Sequence, residues 1–211
     1  KAETTCVLTL RDLLTEADWT LWGSLNSMLP TLSEAAPGEF LDAVESALAQ
    51  SPSPFEILFA QEGNGIIGRN YLTGLFWALE SLAWDERYLV PVCVALGELA
   101  HLDPGGQWAN RPSNSLATIL LPWFPQTLAS VDKRKVAVET LLNECPDIAW
   151  DLIVQLLPGR HQTSSGSHKP SWRKTIPEDS GKVTHEEYWQ QVSLYAELAV
   201  TAASTDMARL S

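Results

Sequence analysis

The residues of this chain that could carry out chemistry are few and widely separated. No two of its four histidines stand at the i, i+4 spacing of a helical metal site, and no acidic or cysteine residues surround them at ligand spacing. The three cysteines form no CxxC pair, which argues against a disulfide framework and against a zinc site. We therefore predict no metal, no cofactor and no intrinsic catalysis. The residues concerned are His101, His161, His168 and His185, with Cys6, Cys93 and Cys145.

Three glycines give a formal match to a nucleotide-binding motif. Gly63, Gly65 and Gly68 have the spacing of a dinucleotide fingerprint, but no predicted strand precedes them and no βαβ unit surrounds them. The acidic pairs at 85–86 and 186–187 stand at predicted helix starts, where the helix dipole accounts for them. A small all-α enzyme or regulatory domain with an unrecognised small-molecule site stays open as the alternative function. A pocket with converging titratable groups would favour that alternative.

A cluster of basic residues stands out in a chain whose formal net charge is −12. A solvated loop would explain the cluster, but a basic latch for an acidic partner, or for a nucleotide held elsewhere in a longer protein, would use the same residues. The overall negative charge disfavours general binding to nucleic acid. The candidate partner-binding residues are Arg160, His168, Lys169, Trp172, Arg173 and Lys174.

The proline-rich stretch 103–127 carries large aromatic side chains that need burial. We expect Trp108 and Trp123 to fill the gap between neighbouring helices. We expect Asn110 and Arg111 to fix the loop through hydrogen bonds, with the arginine donating to carbonyls at nearby helix ends. These four are the candidate loop-structuring residues. The alternative is an exposed recognition face, since Trp and Arg are enriched at binding hot spots.

The elements that must position these residues are predicted to be helices. Apolar residues recur at helical spacing through most of the chain, which predicts an all-α fold of about seven to nine helices. We expect antiparallel helix pairs stacked as an α-solenoid-like array, because an Ala–aliphatic–Glu–Ser/Thr pattern begins at Ala43, Ala78 and Ala137. Residues 15–29 are predicted to form one helix that the next proline ends. Residues 7–10 are the one candidate strand.

The predicted domain organisation follows from where the helical pattern is interrupted. The array is expected over 1–158, with a loop-rich insertion at 103–127. A long surface loop is predicted at 159–183, and a helix that packs back on the array at 184–211. No apolar run reaches the ~18 residues that a membrane span needs. Because the chain begins at Lys1 and its last residues read as the start of another helix, we expect it to be an excerpt of a longer protein.

Five runs between Asp12 and Val200 carry a resemblance to a known family. They are GLFWALESLAW at 74–84, LDPGGQWANRP at 102–112, LPWFPQT at 121–127, KPSWR at 169–173 and EYW at 187–189. Together they resemble the helical-repeat, sensor-like region of large multidomain bacterial proteins that contain a STAND-class NTPase and are similar to antiviral sensors. The chain departs from the family at Pro91, where an uninterrupted helix is expected.

The resemblance implies a non-catalytic protein-binding module in the cytoplasm. It would be the sensor or scaffold part of a protein whose NTPase and effector domains lie outside this chain. The implied partners are a foreign protein, such as one from a phage, and the rest of the parent chain. Neither nucleic acid nor a membrane is an expected partner.

Overall fold

Helices account for all of the regular secondary structure in the part of the chain that the computed structural model describes, which is residues 2–61, 70–106, 108–159, 163–173, 176 and 182–205. The predicted all-α class is confirmed for these residues. In these described ranges the helices number eleven, more than the seven to nine expected. In chain order they are α1 (Ala2–Leu14), α2 (Trp19–Ser24), α3 (Leu29–Ala35), α4 (Pro37–Leu48), α5 (Pro54–Ala60), α6 (Thr73–Ala83), α7 (Leu89–Leu102), α8 (Pro112–Leu120), α9 (Val131–Glu144), α10 (Pro146–Leu156) and α11 (His185–Thr205).

The start of the chain differs from the expectation. Residues 7–10 are not a strand but part of α1, whose Leu10 and Leu14 are buried one helical turn apart. The single helix predicted over 15–29 is wrong, because α2 covers only Trp19–Ser24 of this range and α3 begins at Leu29. Asp18 ends the preceding turn and caps α2, where its Oδ1 accepts a hydrogen bond from the Leu21 N–H at 2.8 Å.

Prolines begin helices in this fold more often than they end them. Pro30 stands in the first turn of α3, although the sequence suggested that it would stop a helix. Pro37, Pro54, Pro112 and Pro146 hold the same position in α4, α5, α8 and α10. A proline in the first turn loses nothing, because the N–H that it lacks would have no partner within the helix. Pro37 and Pro146 were expected to begin helices, whereas Pro30 was expected to end one and instead stands in the first turn of α3.

Helix α7 lies at the centre of the molecule. It packs against α4, α5, α6, α8, α9 and α10, and its Leu89, Val92, Leu96 and Leu99 are completely buried. Gly97 lets α9 approach closely, since a Cβ at this position would lie 2.4 Å from a methyl carbon of Leu141. An apolar helix that is buried along most of its surface organises the packing of the helices around it.

The last helix, α11, packs on α9 and α10. Its N-terminus is capped by Thr184, whose Oγ1 accepts a hydrogen bond from the Glu187 N–H at 3.1 Å. Tyr195 is fully buried, and its hydroxyl donates to the Leu120 carbonyl at 2.9 Å. None of the helices in the described ranges combines the length and the apolar character that crossing a membrane requires.

Candidate functional site

A segment without regular secondary structure, residues 163–173, crosses the surface of the helices and is called the strap below. One of its ends is held by Glu34 of α3, which is only 5% exposed. The Glu34 carboxylate accepts hydrogen bonds from three consecutive backbone N–H groups, those of Ser171 at 2.8 Å, Trp172 at 2.7 Å and Arg173 at 3.0 Å. Arg173 also donates from Nε to the Glu34 carbonyl at 2.7 Å. A buried carboxylate with this many donors is well satisfied, so it fixes the end of the strap on α3.

The middle of the strap is held by Glu80 of α6. One carboxylate oxygen accepts a hydrogen bond from the Ser115 hydroxyl of α8 at 2.6 Å, and the other accepts from the His168 backbone N–H at 2.7 Å. The His168 carbonyl in turn accepts from the indole N–H of Trp84 at 3.2 Å. Glu80 therefore joins α6, α8 and the strap.

A third anchor is Gln126, whose side chain is almost fully buried. Its Oε1 accepts a hydrogen bond from the Ser167 N–H at 3.2 Å, and its Nε2 donates to the Phe124 carbonyl at 3.2 Å. Gly166 has a φ of +82°, and a Cβ there would come within 3.0 Å of the Gln126 Oε1. The strap therefore needs a glycine at this turn.

The residues predicted to bind a partner have different roles in this arrangement. The His168 ring stacks on Trp77 with 5.2 Å between centroids, and the Lys169 ammonium lies 4.8 Å from the centroid of Trp84. These two cationic or titratable groups, together with Arg173, help to hold the strap on the helices. Trp172 is different, because its side chain is 75% exposed.

Several predicted positions lie outside the described residues. They are Arg160 and Lys174 of the basic cluster, His161, the three glycines of the dinucleotide pattern, and the residues after 205 that were expected to begin another helix.

Beside the strap lies a groove of about 840 Å³, bordered by α6, α8 and residues 163–168. The two charged side chains at its edge are already engaged, Glu80 as described above and Arg111 in an ion pair with Asp103 at 2.8 Å. Most of the other side chains of the lining are uncharged amides and hydroxyls, including Asn110, Asn114, Thr118, Gln155, Ser164 and Ser165. The surface of the groove is therefore polar but close to neutral.

The loop residues that were expected to be structural border this groove. Arg111 is 8% exposed and pairs with the Asp103 carboxylate at the end of α7. Trp108 and Trp123 are half-buried, and Trp123 packs against the hydrophobic core. Asn110 lines the groove.

One residue that the sequence did not single out also holds this loop. The Asn114 amide donates a hydrogen bond to the Ala109 carbonyl at 2.7 Å. Its signal was an asparagine in the first turn of a helix that follows a proline-rich loop, a position where such side chains bond to nearby backbone groups.

A second concave region, the acidic cleft, lies between α4, α7 and the junction of α9 with α10. It measures about 480 Å³, and Glu98, His101, Glu144, Cys145 and Asp147 line it. Burial raises the pKa of the Cys145 thiol, and the neighbouring carboxylates raise it further. A nucleophilic cysteine needs a lowered pKa, so this environment is the opposite of what that chemistry requires. Burial alone raises the pKa of Cys93 in α7 to about 12, so this thiol is a small core side chain.

Two observations bear on catalysis and ancestry. Within the described ranges, no group of three His, Cys, Asp or Glu residues is arranged to hold a metal ion. The chain matches no family model, no curated protein and no solved structure.

Proposed function

We propose that this chain is a non-catalytic protein-binding module and that the strap is the centre of its binding face. The observation that carries the proposal is Trp172. Its ring is 75% exposed, while its own backbone N–H is fixed by the buried Glu34. A large aromatic side chain held in the solvent by a rigid backbone is typical of a binding hot spot, because little conformational entropy is lost when a partner covers it.

The charges around Trp172 support a partner with acidic character at this face. Lys169 and His168 lie on the strap itself, in a chain with a net charge of −12. The His168 ring stacks on Trp77 of α6, and the Lys169 ammonium lies over Trp84 at the C-cap of α6, so the Lys169 charge is presented in a fixed place. A positive charge at this face steers an acidic partner towards it.

We further propose that the helices form a stacked array within the sensor or scaffold part of a larger bacterial NTPase-type defence or signalling protein of the cytoplasm. The sequence resemblance supports this, and so does the packing of the consecutive pairs α6 with α7 and α9 with α10. The central position of α7, which contacts six other helices, is the feature that departs most from a simple solenoid. A foreign protein, such as one from a phage, would be the partner.

The experiment is a selection from a random-peptide phage library on the immobilised chain, followed by affinity measurements with the enriched peptides. Trp172→Ala should weaken binding by about tenfold or more, as expected for a hot-spot tryptophan. Trp189→Ala is the matched control, since this tryptophan on α11 is also exposed, at 50%, and its ring contacts are with His185 and Tyr188 of its own helix. Equal affinities of the two variants and the parent would refute the proposed face.

A further inference from the structure

We propose that the groove beside the strap binds an extended, largely uncharged peptide segment, whose backbone pairs with residues 163–165 and one of whose apolar side chains packs on Trp77. This inference rests on the proposed protein-binding function and names the part of the partner that would be recognised. Three features of the described residues carry it.

The first feature is the uneven use of the strap's backbone. The backbone N–H groups of Ser167, His168, Ser171, Trp172 and Arg173 all donate to the side chains of α3, α6 or Gln126. In contrast, no hydrogen bond joins the backbone of 163–165 to another residue in the described part of the chain. A backbone with unused donors and acceptors can pair with the backbone of a bound peptide.

The second feature is the chemistry of the opposite wall. Asn114 and Thr118 lie one turn apart on α8 and both face the groove, and Gln155 of α10 extends the same wall. Amide and hydroxyl side chains donate and accept hydrogen bonds, which suits the alternating N–H and C=O groups of a peptide backbone. Glu80 and Arg111, the two charged side chains at the edge of the groove, are already paired, so the groove itself suits a neutral peptide backbone.

The third feature is the aromatic surface at the end of the groove. Trp77 is 41% exposed, and the parallel ring of His168 covers one of its faces. The part of the indole that stays exposed can receive an apolar or aromatic side chain of the peptide. The volume of about 840 Å³ lies within the range of ligand-binding clefts.

Two pairs of variants test the groove with the peptides selected above. Thr118→Trp would fill the groove from α8, and Thr140→Trp is its control, because Thr140 is also a half-buried threonine but lies on α9 outside the groove. Ser165→Pro would remove one backbone donor of the strap, and Ser165→Ala would leave that donor in place. We expect Thr118→Trp and Ser165→Pro to weaken peptide affinity by about tenfold or more, and both controls to stay within about twofold of the parent.

The outcomes separate this inference from the proposed function. If Trp172→Ala abolishes binding while Thr118→Trp and Ser165→Pro bind like the parent, the binding face stands and the groove inference is wrong. If the groove variants alone lose binding, the groove stands and the role of Trp172 is wrong. If neutral oligosaccharides such as maltoheptaose displaced the peptides, the groove would bind sugars, and the inference that it binds a peptide would be wrong. Thermal melts identify any variant that fails to fold. If Ser165→Pro fails to fold, Thr118→Trp alone tests the groove.

Discussion

Glu34 and Arg134 are both buried charged side chains, and each joins helices to a segment distant in sequence, yet their surroundings are opposite. Glu34 receives three backbone N–H groups of the strap. Arg134 of α9 is 1% exposed and pairs through one Nη with Glu187 of α11, whose side chain is 35% exposed. Its Nε and other Nη find no hydrogen-bond partner among the described residues, and neither does the amide of the buried Gln191 on α11. The strap is thus attached by a satisfied charge and α11 by an incompletely satisfied one.

The difference indicates where this fold is specified by polar contacts and where by apolar packing. A buried carboxylate with three donors fixes one position of the strap, because any shift leaves donors and acceptor unpaired. At α11 the orientation comes instead from Val192, Tyr195 and Leu198, which form an apolar stripe on the helix. Substitutions at Glu34 should therefore cost far more stability than comparable substitutions at Arg134.

The largest effect is expected for Glu34→Ala. The substitution leaves three strap N–H groups without their acceptor, so we expect the free energy of unfolding to fall by about 3 kcal/mol or more. Glu34→Gln keeps one acceptor oxygen, so its free energy of unfolding should fall by less. Glu197→Ala, at an exposed position of α11, is the control and should stay within about 0.5 kcal/mol of the parent. Urea denaturation measures all three, and an equal stability of Glu34→Ala and Glu197→Ala would show that the strap is not held as described.

The anchors of the strap are the part of the site that sequence reasoning could not find. Glu34 and Ser171 are 137 residues apart, and nothing in the local pattern around Glu34 separates it from the solvated acids of other helices. Helix starts were more predictable, because a cap depends on neighbours. Thr184 caps α11 through the nearby Glu187 N–H, and Pro146 begins α10, both from features that the local sequence displays.

The recurring Ala–aliphatic–Glu–Ser/Thr pattern shows the same limit. Its aliphatic positions, Val44, Leu79 and Val138, are all fully buried, as a repeated helix would require. Its glutamates differ, since Glu80 anchors the strap whereas Glu139 lies 3.5 Å from Lys135 in a surface ion pair. The pattern therefore predicted which faces of the helices are buried, but it did not predict which glutamate carries a tertiary contact.

A smaller effect is expected at the turn of the strap. Gly166→Ala places a side chain at a φ of +82° and within 3.0 Å of the Gln126 Oε1, so we expect a loss of about 1–2 kcal/mol. Gly38→Ala is the matched control, because nothing lies within 4 Å of its added Cβ in the first turn of α4. The control should be neutral or stabilising. Equal melting temperatures of the two alanine variants would contradict the description of the strap's turn.

Arg134→Met tests the other side of the comparison. Methionine has a similar length and no charge to desolvate, so the loss of one ion pair is offset by the removal of unpaired N–H groups. We expect a change within about 1 kcal/mol in either direction, measured by urea denaturation. A loss as large as that of Glu34→Ala would show that Arg134 is as fully satisfied as Glu34, and the contrast between the two would be wrong.

The smallest effect concerns Glu98, a carboxylate at the acidic cleft that faces other carboxylates instead of N–H donors. Burial raises its pKa, and the charges of Glu45 and Glu144 raise it further. Because the folded pKa lies above the unfolded one, the folded state binds the proton more tightly, so the contribution of Glu98 to stability is present at low pH. It is lost as the pH rises from the ordinary glutamate value through the folded pKa.

Glu98→Gln keeps the shape of the side chain and removes its charge. It should therefore raise the melting temperature slightly at neutral pH and have no effect well below the ordinary glutamate pKa. The gain should stay below about 1 kcal/mol, because much of the side chain is exposed and solvent screens its neighbours. Melting curves across this pH range, with Glu197→Gln as a control at an isolated exposed position, measure the effect. A gain that is the same at both ends of the range would mean that the carboxylates of the cleft do not repel one another, and Glu98 would then no longer contrast with the donor-saturated Glu34.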